Sequence, residues 1–164
     1  MPNDGEPKRR PAPPSALFES GNTRLHFGWW DGETLSGAVS AAYPSSGAGI
    51  GALVRDLLGT AAPSRIAACS VSKARRDKLF TALDDAAPGR LYVARTAYDI
   101  PIDIRYGTPE TIGVDRLLAA IAAYRRTGRE CVVVDAGTAV TVDAVNHEGV
   151  FLGGYIFPGL ALLS

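Results

Sequence analysis

The chain has 164 residues, 46% hydrophobic and 21% charged, enough apolar material for one good-sized domain or two small lobes and too much for a disordered segment. Lysine plus arginine and aspartate plus glutamate each number 17, so no net field exists to hold nucleic acid or an anionic membrane, and the charge balance points to a small-molecule partner. No stretch reaches the ~20 apolar residues of a membrane span and no signal-peptide run opens the chain, so a cytoplasmic location is expected.

Residues 1–16 are polar and Pro-rich, with a basic Lys8-Arg9-Arg10 cluster, and read as a solvated tail. After Gly21-Asn22-Thr23, Leu25, Phe27 and Trp29 alternate with Arg24, His26 and Gly28, the period of a strand. Asp31-Gly32 signals a hairpin whose return strand covers 33–39. Ile50, Leu53, Val54, Leu57 and Leu58 predict a helix over 47–59. A short buried strand over 65–71, a helix over 73–86 and a strand over 91–95 follow, an alternation that predicts a mostly parallel sheet flanked by helices. The clearest helix spans 114–126, with Leu117, Leu118, Ile121, Ala122 and Tyr124 on its apolar side and Gly128 as its stop. A continuous apolar run at 131–134, a strand over 138–145 and a hairpin partner over 150–157 come next, and Leu160-Ala161-Leu162-Leu163 begins a further helix. Cys69 and Cys131 read as small buried strand residues without zinc or disulfide spacing, and His26 and His147 lie too far apart in sequence to suggest a metal pair.

Two segments resemble each other. Glu19-Ser20-Gly21-Asn22-Thr23 leads into a strand and the Asp31-Gly32 turn; Asp135-Ala136-Gly137-Thr138 leads into a strand and the Glu148-Gly149 turn at nearly the same distance. In each, a carboxylate ends a strand, a glycine permits a tight turn, and a threonine offers a hydroxyl and an amide. A single copy is adequately explained as the start of a hairpin. Two copies suggest two related lobes whose loops face each other across the phosphates of one nucleotide, with the carboxylates engaging metal ions or their waters. Between the copies, Gly113-Val114-Asp115-Arg116 sits where the long helix begins. Asp115 there is either a residue that complements the helix dipole or a base, and Arg116 either a surface charge or a carboxylate binder.

The Gly-Asn-Thr loop, Tyr106 ahead of Gly113-Val114-Asp115-Arg116, Asp135-Ala136-Gly137-Thr138 and Gly153-Gly154-Tyr155-Ile156-Phe157-Pro158-Gly159, in that order, resemble type III pantothenate kinases over 17–164. The resemblance implies an α/β fold of duplicated ribonuclease-H-like lobes, as in actin-like ATPases, with a first lobe over 17–113 and an incomplete second lobe over 114–164. It implies ATP-dependent phosphorylation of pantothenate, the first step of coenzyme A synthesis, by a homodimer that needs magnesium and a monovalent cation, potassium or ammonium. By the same resemblance Asp115 is the proton acceptor, and Tyr106, Gly113, Val114, Asp115 and Arg116 line the pantothenate site. Glu19, Ser20, Gly21, Asn22, Thr23, Arg24, Leu25, His26 and Thr138 surround ATP, and Asp135 holds the monovalent cation. This chain departs from the family at Glu19, where the family has aspartate, and at its C-terminus, beyond which family members continue. Those departures favour a rival reading as a non-catalytic binding or regulatory protein built on the same fold; a third reading is another actin-like sugar or acyl kinase.

Overall fold

The computed structural model describes residues 14–45 and 49–159. Strand β1 (Ser15–Ser20) starts two residues inside the stretch expected to be tail, because the Ala16 amide already donates to the Arg65 carbonyl and its side chain is buried with Phe18. β2 (Arg24–Trp30) and β3 (Leu35–Ala42) form the expected hairpin. Asp31 closes its turn by accepting from the amides of Glu33 and Thr34 and from the Thr34 hydroxyl, and Gly32 takes φ 111°. Those hydrogen bonds to its charged form pull the exposed Asp31 carboxyl down to about 2.

Helix α1 (Gly49–Leu58) buries Ile50, Val54 and Leu58, one residue per turn; the expected helix start at 47 falls outside the described residues. β4 (Ile66–Ser70), α2 (Arg76–Ala86) and β5 (Leu91–Ala94) complete a five-stranded sheet in the order β3-β2-β1-β4-β5. The sheet is mixed, not mostly parallel: β1, β2 and β3 run antiparallel through tight turns, and only the crossovers through α1 and α2 produce the parallel β1–β4 and β4–β5 pairs.

Two single turns of 3-10 helix, Ala97–Asp99 and Pro109–Thr111, lead to α3 (Val114–Thr127), which ends at Gly128 in the left-handed conformation at φ 66°. Val114, Leu117 and Ala120 are its buried stripe, with Leu118, Ile121 and Tyr124 half-buried beside them; Ala122 lies off that stripe and is exposed, contrary to expectation. β6 (Cys131–Ala136), β7 (Ala139–Val145) and β8 (Phe151–Pro158) form a second, antiparallel sheet in the order β6-β7-β8. This meander repeats β1-β2-β3. The β6 run is not buried throughout: Val132 and Val134 point to the open face, while Cys131 is only half-buried. The helix expected at 160–163 lies outside the described residues.

One core lies between the first sheet and α1 and α2. A second gathers around α3, where Leu117 and Ala120 pack with Val145 and Phe151, and it also draws in Cys69, Ala94, Ala97, Ile100 and Ile112 from the first half of the chain.

Candidate active site

The two similar loops meet. Each follows the first strand of its sheet, and the shared meander brings Thr23 and Thr138 together with their hydroxyl oxygens 3.1 Å apart. Within the loops the Gly21 amide donates to the Arg24 carbonyl and the Gly137 amide to the Ala139 carbonyl, closing each turn. The acids preceding the glycines stand at the ends of β1 and β6.

Glu19, Asp135 and Asp115 converge from three elements. Burial raises the Glu19 carboxyl above its ordinary value; His26, its register partner on β2, opposes this, and the negative charges of Asp115 and Asp135 add to it. Burial likewise raises Asp115, against the pull of backbone amides at the start of α3 and with a further push from Asp135. Two half-buried carboxylates beside an exposed third make a cluster of like charge in which a cation relieves electrostatic cost. Among the described residues no three His, Cys, Asp or Glu side chains gather closely enough to hold a metal ion unaided. The donor set fits a hydrated cation shared with phosphate oxygens, as magnesium usually is in nucleotide sites.

The Gly-Val-Asp-Arg segment is set by backbone space. Gly113 is the residue before α3, and a Cβ there would collide with the Asp115 carboxylate, so glycine lets the acid fold back over the helix start. Tyr106 is positioned by the preceding residues: Ile104 bridges to Phe151, and the Arg105 amide donates to the Phe151 carbonyl at 2.8 Å. Its ring then covers Gly153, where a Cβ would come within 2.6 Å of it.

Arg116 is already occupied. Its Nε donates to both Asp143 carboxylate oxygens at 3.1 Å and its Nη2 donates to Oδ1 at 2.5 Å. Asp143 is only 2% exposed and the Arg116 side chain 13%. The pair ties the start of α3 to β7, and its hydrogen bonds push the guanidinium pKa up. Gly154 has no room for a side chain because Asp143 and the Val142 carbonyl lie against it.

Other expected site residues turn elsewhere. Leu25 and Val114 are buried in the two cores, so only their backbones can face a ligand. Arg24 reaches across the sheet to Ser40, donating through Nε to its hydroxyl and through Nη2 to its carbonyl, both at 2.6 Å. Ser20 is fully buried and bonded to Tyr43.

Sequence reasoning missed Asp143, Tyr43 and Arg75. Asp143 left a signal, since it is a charged residue on the β7 face that also carries buried Val145. Tyr43 and Arg75 left none: Arg75 Nη1 reaches the Asn22 carbonyl at 2.9 Å, and its guanidinium sits 4.4 Å above the Tyr43 ring, contacts that only the fold creates.

The solved ethanolamine utilization protein EutJ from Carboxydothermus hydrogenoformans superposes with a TM-score of 0.55 over 92% of this chain and 53% of its own, at 14% identity, which is a likeness of fold. A type III pantothenate kinase of Alkalilimnicola ehrlichii is 36% identical over 153 residues, 90% of this chain and 60% of that protein. One of Rhodopirellula baltica is 46% identical over 96 residues, 57% of this chain and 34% of that protein. The chain thus spans between about a third and three fifths of these curated relatives. The family model for type III pantothenate kinase matches residues 17–164, and the chain belongs to that family.

Proposed function

We propose that this chain carries the phosphate loops and acceptor site of a kinase that transfers the terminal phosphoryl group of ATP to the primary hydroxyl of pantothenate, the first step of coenzyme A biosynthesis. The contact between Thr23 and Thr138 carries this reading, because it joins two similar loops beside three carboxylates. Phosphoryl transfer needs positioning and charge neutralisation more than covalent chemistry, and backbone-rich loops supply both. Glu19 and Asp135 would hold the water shell of magnesium, which neutralises phosphate charge when bound, and Asp135 would also face the monovalent cation. Asp115 orients the acceptor hydroxyl and takes its proton; its raised affinity for protons makes it a better base than an exposed aspartate. Tyr106, with Gly113 and the free edge of the Arg116 guanidinium, lines the acceptor side. On this reading residues 17–113 belong to the first lobe, and α3 to β8 belong to the second. The open apolar face of the second sheet supports a homodimer, and the use of ATP and a soluble acid supports a cytoplasmic setting.

The test pairs an ADP-release assay with calorimetry. Asp115→Asn is expected to lose most turnover while the protein still binds magnesium ADP. Near-normal turnover in the variant would refute the base assignment. A wild-type chain that binds neither nucleotide nor pantothenate would refute the kinase reading.

A further inference from the structure

Ser20 and Ser72 are both buried polar residues, and both belong to one small network behind the first phosphate loop. The Ser20 hydroxyl lies 2.6 Å from the Tyr43 hydroxyl, and the Tyr43 hydroxyl donates to the Gly21 carbonyl at 3.3 Å. With its proton used there, Tyr43 accepts the proton of Ser20. Burial raises the Tyr43 pKa, which keeps the phenol in its donor form. Arg75, at the start of α2, stacks on the other side of the network: its guanidinium lies over the Tyr43 ring, and Nη1 donates to the Asn22 carbonyl and to Ser72 Oγ.

The consequence follows from peptide geometry. In a planar trans peptide the carbonyl and the next N–H point in opposite directions. A Gly21 carbonyl held by Tyr43 therefore turns the Asn22 amide away from Tyr43, and an Asn22 carbonyl held by Arg75 turns the Thr23 amide away from Arg75. Two consecutive amide donors, the groups with which a loop of this kind grips an anion, take their direction from side chains behind the loop. In the second loop Gly159 does the equivalent work, since its amide donates to the Thr138 carbonyl and a Cβ there would strike the carbonyls of Gly137 and Thr138.

We propose that Tyr43 and Arg75 are positioning residues for nucleotide binding: by holding the Gly21 and Asn22 carbonyls they aim the Asn22 and Thr23 amides at a phosphate group. The inference rests on the reading of 19–23 as a phosphate loop. Calorimetric titration of the full 164-residue chain with magnesium ADP, alongside melting of the unliganded protein, tests it. Tyr43→Phe keeps the ring under Arg75 and removes two neutral hydrogen bonds, of which the one to the Gly21 carbonyl directs the loop, so ADP affinity is expected to fall about fivefold. Arg75→Met removes a charge-assisted bond and is expected to cost about tenfold or more. Weaker ADP binding by Tyr43→Phe, which changes no charge, supports aiming of the amides over a direct pull of Arg75 on phosphate. Wild-type ADP affinity in both folded variants, with or without a drop in melting temperature, makes the network mere scaffolding and overturns the inference while the kinase reading stands. A wild-type chain that binds no ADP overturns the phosphate-loop reading, and this inference with it.

Discussion

Replacing Arg116 by alanine is expected to unfold the protein more readily before it says anything about ligands. The side chain makes three hydrogen bonds to Asp143, a carboxylate 2% exposed. Its loss leaves a buried charge without its partner, which costs about 3–5 kcal/mol. For a chain of this size each kcal/mol moves the melting temperature by about 2–4 °C, so a fall of roughly 6–20 °C is expected. Replacing both members with apolar residues, Arg116→Met with Asp143→Leu, removes the unpaired charge and should recover most of that loss. Urea denaturation of wild type, Arg116→Met, Asp143→Leu and the double variant gives the coupling directly. A single Arg116→Ala variant within about 1 kcal/mol of wild type would refute the reasoning, because it would mean that Asp143 is solvated or finds another partner. On the folded protein the same variant should, under the proposed assignment of Arg116 to the pantothenate site, weaken pantothenate more than ADP.

Asp31 supplies a pH test: its folded pKa is depressed, so its stabilisation is fully present above the unfolded value near 3.8 and is lost as pH falls towards about 2. Asp31→Asn should therefore melt below wild type at neutral pH, with the gap closing under acid conditions; a gap that widens in acid contradicts the assignment. Burial pushes the Cys69 thiol up to about 12, so it should resist a maleimide at pH 7 until the chain is unfolded, as followed by mass spectrometry. Val132, Val134, Tyr155 and Phe157 share the open face of the second sheet, and that face should drive self-association; light scattering should show a smaller assembly for Val134→Lys with Tyr155→Lys than for wild type.

The turns and the helix start around the candidate site were legible in the sequence because each depends on local backbone. Gly21 and Gly137 turn the chain after a strand, Gly113 clears space two residues ahead of its own acid, and the Asp31 and Asn146 turns are closed by their own side chains. Period and spacing also fixed most elements to within a few residues, from the β2–β3 hairpin to the stop of α3 at Gly128. Strand direction was not legible: alternation of strands and helices suggested parallel pairing, and the opening hairpin made half of the first sheet antiparallel. Nor was the destiny of individual side chains. Arg116 reads as either a surface charge or a carboxylate binder until β7 brings Asp143 beneath it, and the alternation that puts Leu25 on a strand does not say that its side chain closes the first core. Arg75 acquires its place only when α2 begins behind the first loop, more than fifty residues from the carbonyl it holds. A turn is decided by the torsions of a few neighbouring residues, whereas the partner of a long charged side chain is decided by whichever distant element packs against it, and only the tertiary structure specifies that.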